Sequence, residues 1–158
     1  NGPPPNFSFH LNSVYVDQGA VYVSGRELSA LVCFGPHGPS VIRKLPLGTH
    51  NARPFAGGVL FNDTQADCIR WLGGVRDVSM PVPRYDEAEL RCVDVDASGI
   101  ARQAFGRGLC PITDTLIAAG SSPTTVSIYN VTEGRRLKSI NVTMDVRNAA
   151  HGMAIWPY

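Results

Sequence analysis

A strand–turn–strand pattern that returns three times and begins a fourth constrains this chain more than any other feature. The first copy runs from His10-Leu11-Asn12-Ser13-Val14 through Asp17-Gln18-Gly19 into Ala20-Val21-Tyr22-Val23. The second runs from His50-Asn51-Ala52-Arg53-Pro54 through Gly57-Gly58 into Val59-Leu60-Phe61. The third runs from Arg107-Gly108-Leu109-Cys110-Pro111 through Asp114 into Leu116-Ile117-Ala118. His151-Gly152-Met153-Ala154-Ile155-Trp156 starts a fourth. Two of the copies continue alike: residues 29–34 and 126–129 read as third strands, and 41–45 and 136–140 as outer strands behind Gly- or Pro-bearing turns. A unit of about four short strands every ~40–50 residues predicts an all-β chain of β-propeller blades with local meander topology.

The spacing sets the expected boundaries. Residues 1–8, with Asn1-Gly2-Pro3-Pro4-Pro5, read as an extended arm or as the cut edge of a longer chain, not as a signal peptide. Blades are expected over 9–48, 49–106 and 107–150, with a spare strand starting a further blade at 151–158. The second unit is the longest, and its excess is placed in an insertion over 73–89, which holds Gly73-Gly74, Met80-Pro81-Val82-Pro83 and the charged run 84–89. A loop of that length is either functional or a solvated flap. A further strand–turn–strand is expected from 90–95, Ala97-Ser98-Gly99 and 100–105. No amphipathic helix is predicted; the best candidate, 86–93, is too short. Three units and a strand do not close a propeller, and an open arc exposes sheet edges and core faces. The chain therefore pairs with a second copy as a homodimeric ring, belongs to a longer polypeptide, or folds as an irregular sandwich.

The chain's 158 residues carry a net charge of only +1, with 16 glycines and 12 prolines spread between apolar runs as turns. It has no basic block, so no nucleic-acid partner is predicted, and no apolar run long enough for a membrane helix. Cys33, Cys68, Cys92 and Cys110 form no Cys-x-x-Cys pair, which argues against structural zinc. Cys33, Cys68 and Cys92 are expected buried and unpaired in strands, with Cys110 close to the channel. Free thiols favour a cytoplasmic setting. Four Asn-x-Ser/Thr triplets, at Asn6, Asn62, Asn130 and Asn141, point instead to secretion.

Inner strands of a propeller converge on its channel. Aligned by repeat, the channel mouth holds Asn12, His50, Asn51, Arg53, Arg107 and His151. Arg is a fork donor for carboxylate or phosphate, and His adds a proton that moves near neutral pH. Such a mouth suits a small anionic ligand. Polar strand starts also serve to satisfy unpaired backbone groups at sheet ends, and a lone His is commonly structural. No Gly-x-Ser-x-Gly, Walker, Gly-x-Gly-x-x-Gly or His-Glu-x-x-His motif is present.

The segments 50–55 with Phe61-Asn62-Asp63-Thr64, and Phe105-Gly106-Arg107-Gly108-Leu109 with Gly120-Ser121-Ser122-Pro123, resemble uncharacterised bacterial β-propeller proteins. These are related in architecture to the NHL, gluconolactonase and paraoxonase-like propellers. The resemblance covers most of 9–156 as a blade pattern and implies six or seven blades, of which this chain looks like half. It also implies a divalent cation held by Asn, Asp and Glu in the channel. Here only Asn12, Asn51, Asn62 and Asp63 match, and one carboxylate is poor support for a cation, so no cofactor is expected. The leading reading is a non-enzymatic ligand-binding or assembly module with a partly cationic channel mouth. The alternative is a lactonase-like hydrolase or lyase with His50 or His151 as general base, and a third is a purely structural subunit.

Overall fold

Two-residue turns start the first two units. Asp17 pairs with Ala20 across Gln18-Gly19, whose φ angles are 47° and 79°. Phe55 pairs with Gly58 across Ala56-Gly57, at 45° and 72°. Positive φ at both central residues gives the turn whose twist matches that of paired strands. Glycine takes the second position without steric cost.

The computed structural model describes residues 9–93 and 102–156. Twelve strands form three antiparallel sheets, each in sequential order. Blade one is β1 (Leu11–Asp17), β2 (Ala20–Gly25), β3 (Ala30–Gly35) and β4 (Gly38–Lys44). Blade two is β5 (Thr49–Phe55), β6 (Gly58–Asp63), β7 (Cys68–Leu72) and β8 (Asp77–Pro81). Blade three is β9 (Phe105–Pro111), β10 (Leu116–Ser122), β11 (Thr125–Asn130) and β12 (Arg135–Asn141). The protein is all-β and built of propeller blades, as the repeat predicts.

The blades stack face to face. Leu31, Leu45, Ala52, Val59 and Phe61, with Tyr22 and Leu72 beside them, form the core between blades one and two. Phe55, Leu60, Ile69, Met80, Leu109, Ile117, Ala119 and Tyr129 are among the residues that form the core between blades two and three. Alternation along β6 sends Val59 and Phe61 one way and Leu60 the other, so one strand feeds both cores. Full burial of each such side chain contributes about 1.5–3 kcal/mol. The fourth strands β4 and β12 lie outermost and are exposed along nearly their whole length.

Side chains on the middle strands tie the blades together. Asn12 Nδ2 donates to Thr49 O at 2.8 Å, and Ser24 Oγ accepts from Ala52 N at 3.1 Å, joining blade one to blade two. Asn62 Nδ2 donates to Arg107 O and Gly108 O, each at 3.4 Å, joining blade two to blade three. A Cβ on Gly106 would lie 2.8 Å from Asn62 Oδ1, so glycine lets the two blades approach. Each innermost strand carries a bulge near its start, between Leu11 and Ser13, His50 and Arg53, and Gly106 and Leu109. These bulges turn the strand and re-aim its side chains.

Four expectations need correction. Residues 73–89 are not an insertion, because Asp77–Pro81 is the fourth strand of blade two, paired with β7 along its length. The extra length lies between β8 and β9. Among the described residues it holds a 3-10 turn, Glu87–Glu89, opened by Asp86, whose carboxylate accepts from Ala88 N. Nor are residues 90–93 a strand: only Arg91 forms a bridge, to Asp145, and Cys92 is exposed rather than buried. Cys33, Cys68 and Cys110 are buried and free. Residues 151–156 form no strand. This segment lies over blade three, where Ala150 O and Met153 face Gly108. The arm 1–8, the turn at Ala97-Ser98-Gly99, and residues 157–158 fall outside the described residues. Among the described residues no helix is long and apolar enough to cross a membrane.

Candidate functional site

The strand registers superpose the three inner strands. Val16, Pro54 and Pro111 are equivalent, facing Val21, Val59 and Ile117. Counting back four residues sets Asn12, His50 and Arg107 at one level, the mouth of the inner edge. Counting back one sets Tyr15, Arg53 and Cys110 at a second, deeper level.

At the mouth, His50 is 4% exposed and held at both nitrogens. Nδ1 lies 2.9 Å from Gly48 O, and Nε2 lies 3.2 Å from Arg107 Nη1. An arginine only donates, so Nε2 accepts and Nδ1 carries the proton. The imidazole is therefore neutral. Burial lowers its pKa from 6.5 to about 4; the charges of Arg107, His10 and Arg26 add to this, and the Gly48 bond opposes it. The His50 ring meets Phe105 edge-on at 5.7 Å and His10 at 6.4 Å. The Arg107 guanidinium sits 4.2 Å over the Phe105 ring, and that of Arg102 lies 5.1 Å from it. Burial, then the charge of Arg26, lowers the Arg107 pKa. Arg26 joins this group from the loop after β2, where its N–H donates to His10 O and its carbonyl accepts from Gly48 N, both at 3.0 Å.

At the deeper level the Arg53 guanidinium lies 4.9 Å over the Tyr15 ring, with Cys110 near enough to act on its charge. Arg53 Nε is buried with no hydrogen-bond partner among the described residues. Cys110 sits on β9, the first strand of blade three, near Arg53.

The expected site residues separate into groups. His50 and Arg107 are joined directly, and Arg53 is one level below. Asn12 is at the mouth but spends its amide on Thr49 O. Asn51 takes a φ of 55° in the β5 bulge, a conformation asparagine tolerates better than most residues. His151 is exposed in the segment over blade three and makes no hydrogen bond with this group. The four oxygens considered for a cation do not converge as a charged set. Asp63 is engaged by Arg70 at 3.2 Å and by Ala66 N, while Asn62 Oδ1 and Asn12 Oδ1 are buried with no hydrogen-bond partner among the described residues. Among the described residues no group of three or more His, Cys, Asp or Glu side chains could hold a metal ion. His10, Arg26, Arg102 and Phe105 escaped the sequence reading. The usable signal was positional, since Arg26 directly follows a middle strand and Phe105 directly precedes the Gly106-Arg107-Gly108 entrance.

The half-buried arginines differ in one respect. Arg70 pairs with Asp63 and Arg102 with Asp67, whereas Arg53 and Arg107 have no carboxylate partner among the described residues. A cavity of about 210 Å³ lies elsewhere, between Ile42-Arg43 of blade one and the glycine turns Gly57-Gly58 and Gly73-Gly74 of blade two. It holds none of the mouth residues.

No protein-family model and no curated protein matches the chain. Among solved structures it is similar to a catalytically inactive virginiamycin B lyase from Staphylococcus aureus determined with quinupristin. That match has a TM-score of 0.52 and 11% identity, over 88% of this chain and 43% of that one. A selenomethionine-substituted virginiamycin B lyase from the same organism gives 0.47 and 10%, over 82% and 44%. A streptogramin B lyase gives 0.43 and 12%, over 82% and 43%. These are β-propeller proteins, and the likeness shows the fold. The chain spans less than half the length of each.

Proposed function

We propose that the inner edge of the three-blade arc is a binding site for a small anionic ligand, without chemistry performed on it. The observation that carries this reading is the pair of half-buried guanidiniums, Arg53 and Arg107, left without a carboxylate while Arg70 and Arg102 each have one. A desolvated guanidinium is costly unless paired, and an incoming anion supplies the missing charge through strong hydrogen bonds. A neutral His50, locked between Gly48 and Arg107, steers Arg107 rather than competing for the ligand. The same locking disfavours His50 as the general base of the lactonase-like alternative. A general base needs a free nitrogen and a pKa near the working pH, and His50 offers neither.

Titration of the protein with acetate and with inorganic phosphate at low ionic strength tests the reading, followed by calorimetry or by NMR of the arginine Nε–H groups. Saturable binding that weakens about tenfold in Arg107→Met and falls with added salt is expected. No saturable response, or an unchanged one in Arg107→Met, would overturn it.

Assembly is a second reading, favoured by the outward face of blade one. Val14, Val16, Phe34 and Val41 are exposed there, 69%, 63%, 48% and 60% respectively. They share that face with Val21, Val23 and Val32 by register. Such faces are what blades bury against one another inside this chain. The occupant proposed is blade three of a second copy, giving a two-fold ring of six or more blades.

A further inference from the structure

We infer that the ligand carries two anionic groups, one met by Arg107 at the mouth and a second met by Arg53 deeper along the inner strands. This rests on the anion-binding reading above and narrows it to a class of ligand. Arg53 is the one cation on the deeper level, between Tyr15 of blade one and Cys110 of blade three, which places its head at the inner edge. The Tyr15 ring faces its charge from one side. A ring face gives no acceptor to the five N–H donors of a guanidinium. Beyond the backbone pairing of Arg53 with Leu60, its side chain makes no hydrogen bond among the described residues, and its Nε is buried. Arginines on the outer strands reach solvent, as the exposed Arg43 and Arg136 do. Arg53 is shielded instead, in the manner of a group awaiting an acceptor.

Spacing sets the shape of the ligand. The His50–Arg107 level and the Arg53 level are three residues apart along β5. At ~3.3 Å per residue this is about 10 Å, shortened somewhat by the bulge. The two guanidiniums lie over different rings, Tyr15 and Phe105, and an extended chain with an anionic group at each end matches that separation better than a compact anion. Unbranched α,ω-dicarboxylates are the simplest members of that class. Two tethered anions gain over one because the second contact forms at high effective concentration.

The test compares succinate, adipate and suberate with hexanoate, a monoanion of similar chain length, by calorimetry on the full chain. Adipate or suberate is expected to bind at least about tenfold more tightly than hexanoate, with succinate too short to share the gain. In Arg53→Met the ratio of suberate to hexanoate affinity should fall to about one. Arg53→Lys keeps the charge and should retain part of the advantage, which covers the case that the methionine variant misfolds. If hexanoate binds and no dicarboxylate binds better, or if the ratio survives in Arg53→Met, the inference fails while the anion site stands. If neither hexanoate nor any of the dicarboxylates binds, both fail together.

Discussion

His50 shows how burial fixes a protonation state. Its pKa in the folded chain, about 4, lies below the 6.5 of an unfolded histidine because the ring is desolvated and faces the charges of Arg107, His10 and Arg26, against which the Gly48 bond pulls only part of the way back. The unfolded chain takes up a proton that the folded chain refuses. The contribution to stability is therefore complete above pH 6.5 and is lost as pH falls from 6.5 towards 4. At about 1.4 kcal/mol per pH unit the loss is on the order of 3 kcal/mol. Urea unfolding at pH 7, 5.5 and 4 should show it in the native chain and show less of it in His50→Gln. Equal pH dependence in both would mean that His50 is solvated. Residue equivalence was partly legible in the sequence, because Asn12, His50 and Arg107 begin successive repeats. Their partners were not. Arg26 and Phe105 come near His50 only because three blades converge, and nothing local in the chain announces a contact over that separation.

Between neighbouring blades the ties are set by small residues and amides. Asn62 donates both its amide hydrogen bonds to β9 while its Oδ1 sits against Gly106. Asn62→Ala should destabilise the chain by about 1–3 kcal/mol, since the Arg107 and Gly108 carbonyls lose their donor in a dry junction. Gly120 plays the matching part on blade three. A Cβ there would lie 2.5 Å from Ala150 O and 2.7 Å from Ala150 Cβ. Gly120→Ala should therefore lift the segment around Ala150 from the sheet. Hydrogen exchange would then quicken over 146–153 and stay slow in β6. Strand order and hairpin turns were readable from apolar runs and Gly positions. The outer strand Asp77–Pro81 was not, because its Asp77 and Pro81 look like loop residues, and pairing with β7 overrides them. The reverse holds at 90–93 and 151–156: strand-forming residues there stay irregular.

At the scale of the whole molecule, the arc ends on two unlike faces. Blade three turns outward the small residues Gly108, Ala118 and Gly120, partly covered by Ala150 and Met153, and beside them by register Val126, Ile128 and Ile140. Blade one turns outward the valine face of β1 to β4, where Val14, Val16 and Val41 are exposed. A face with a small-residue floor and a branched apolar face can pack as a blade pair. A specific interface buries about 1,600 Å², and closing a ring makes two such junctions at once. Association should then be steep in concentration and should rest on apolar area. Equilibrium sedimentation at micromolar concentration is expected to give twice the 17.0 kDa of the chain. The double variant Val16→Lys, Val41→Lys places two charges in the junction without touching either internal core. It should give the single-chain mass and keep the native unfolding transition of the blade-two core. A native chain that sediments at its single mass, or a double variant that still dimerises, would show that the valine face is not the contact between copies.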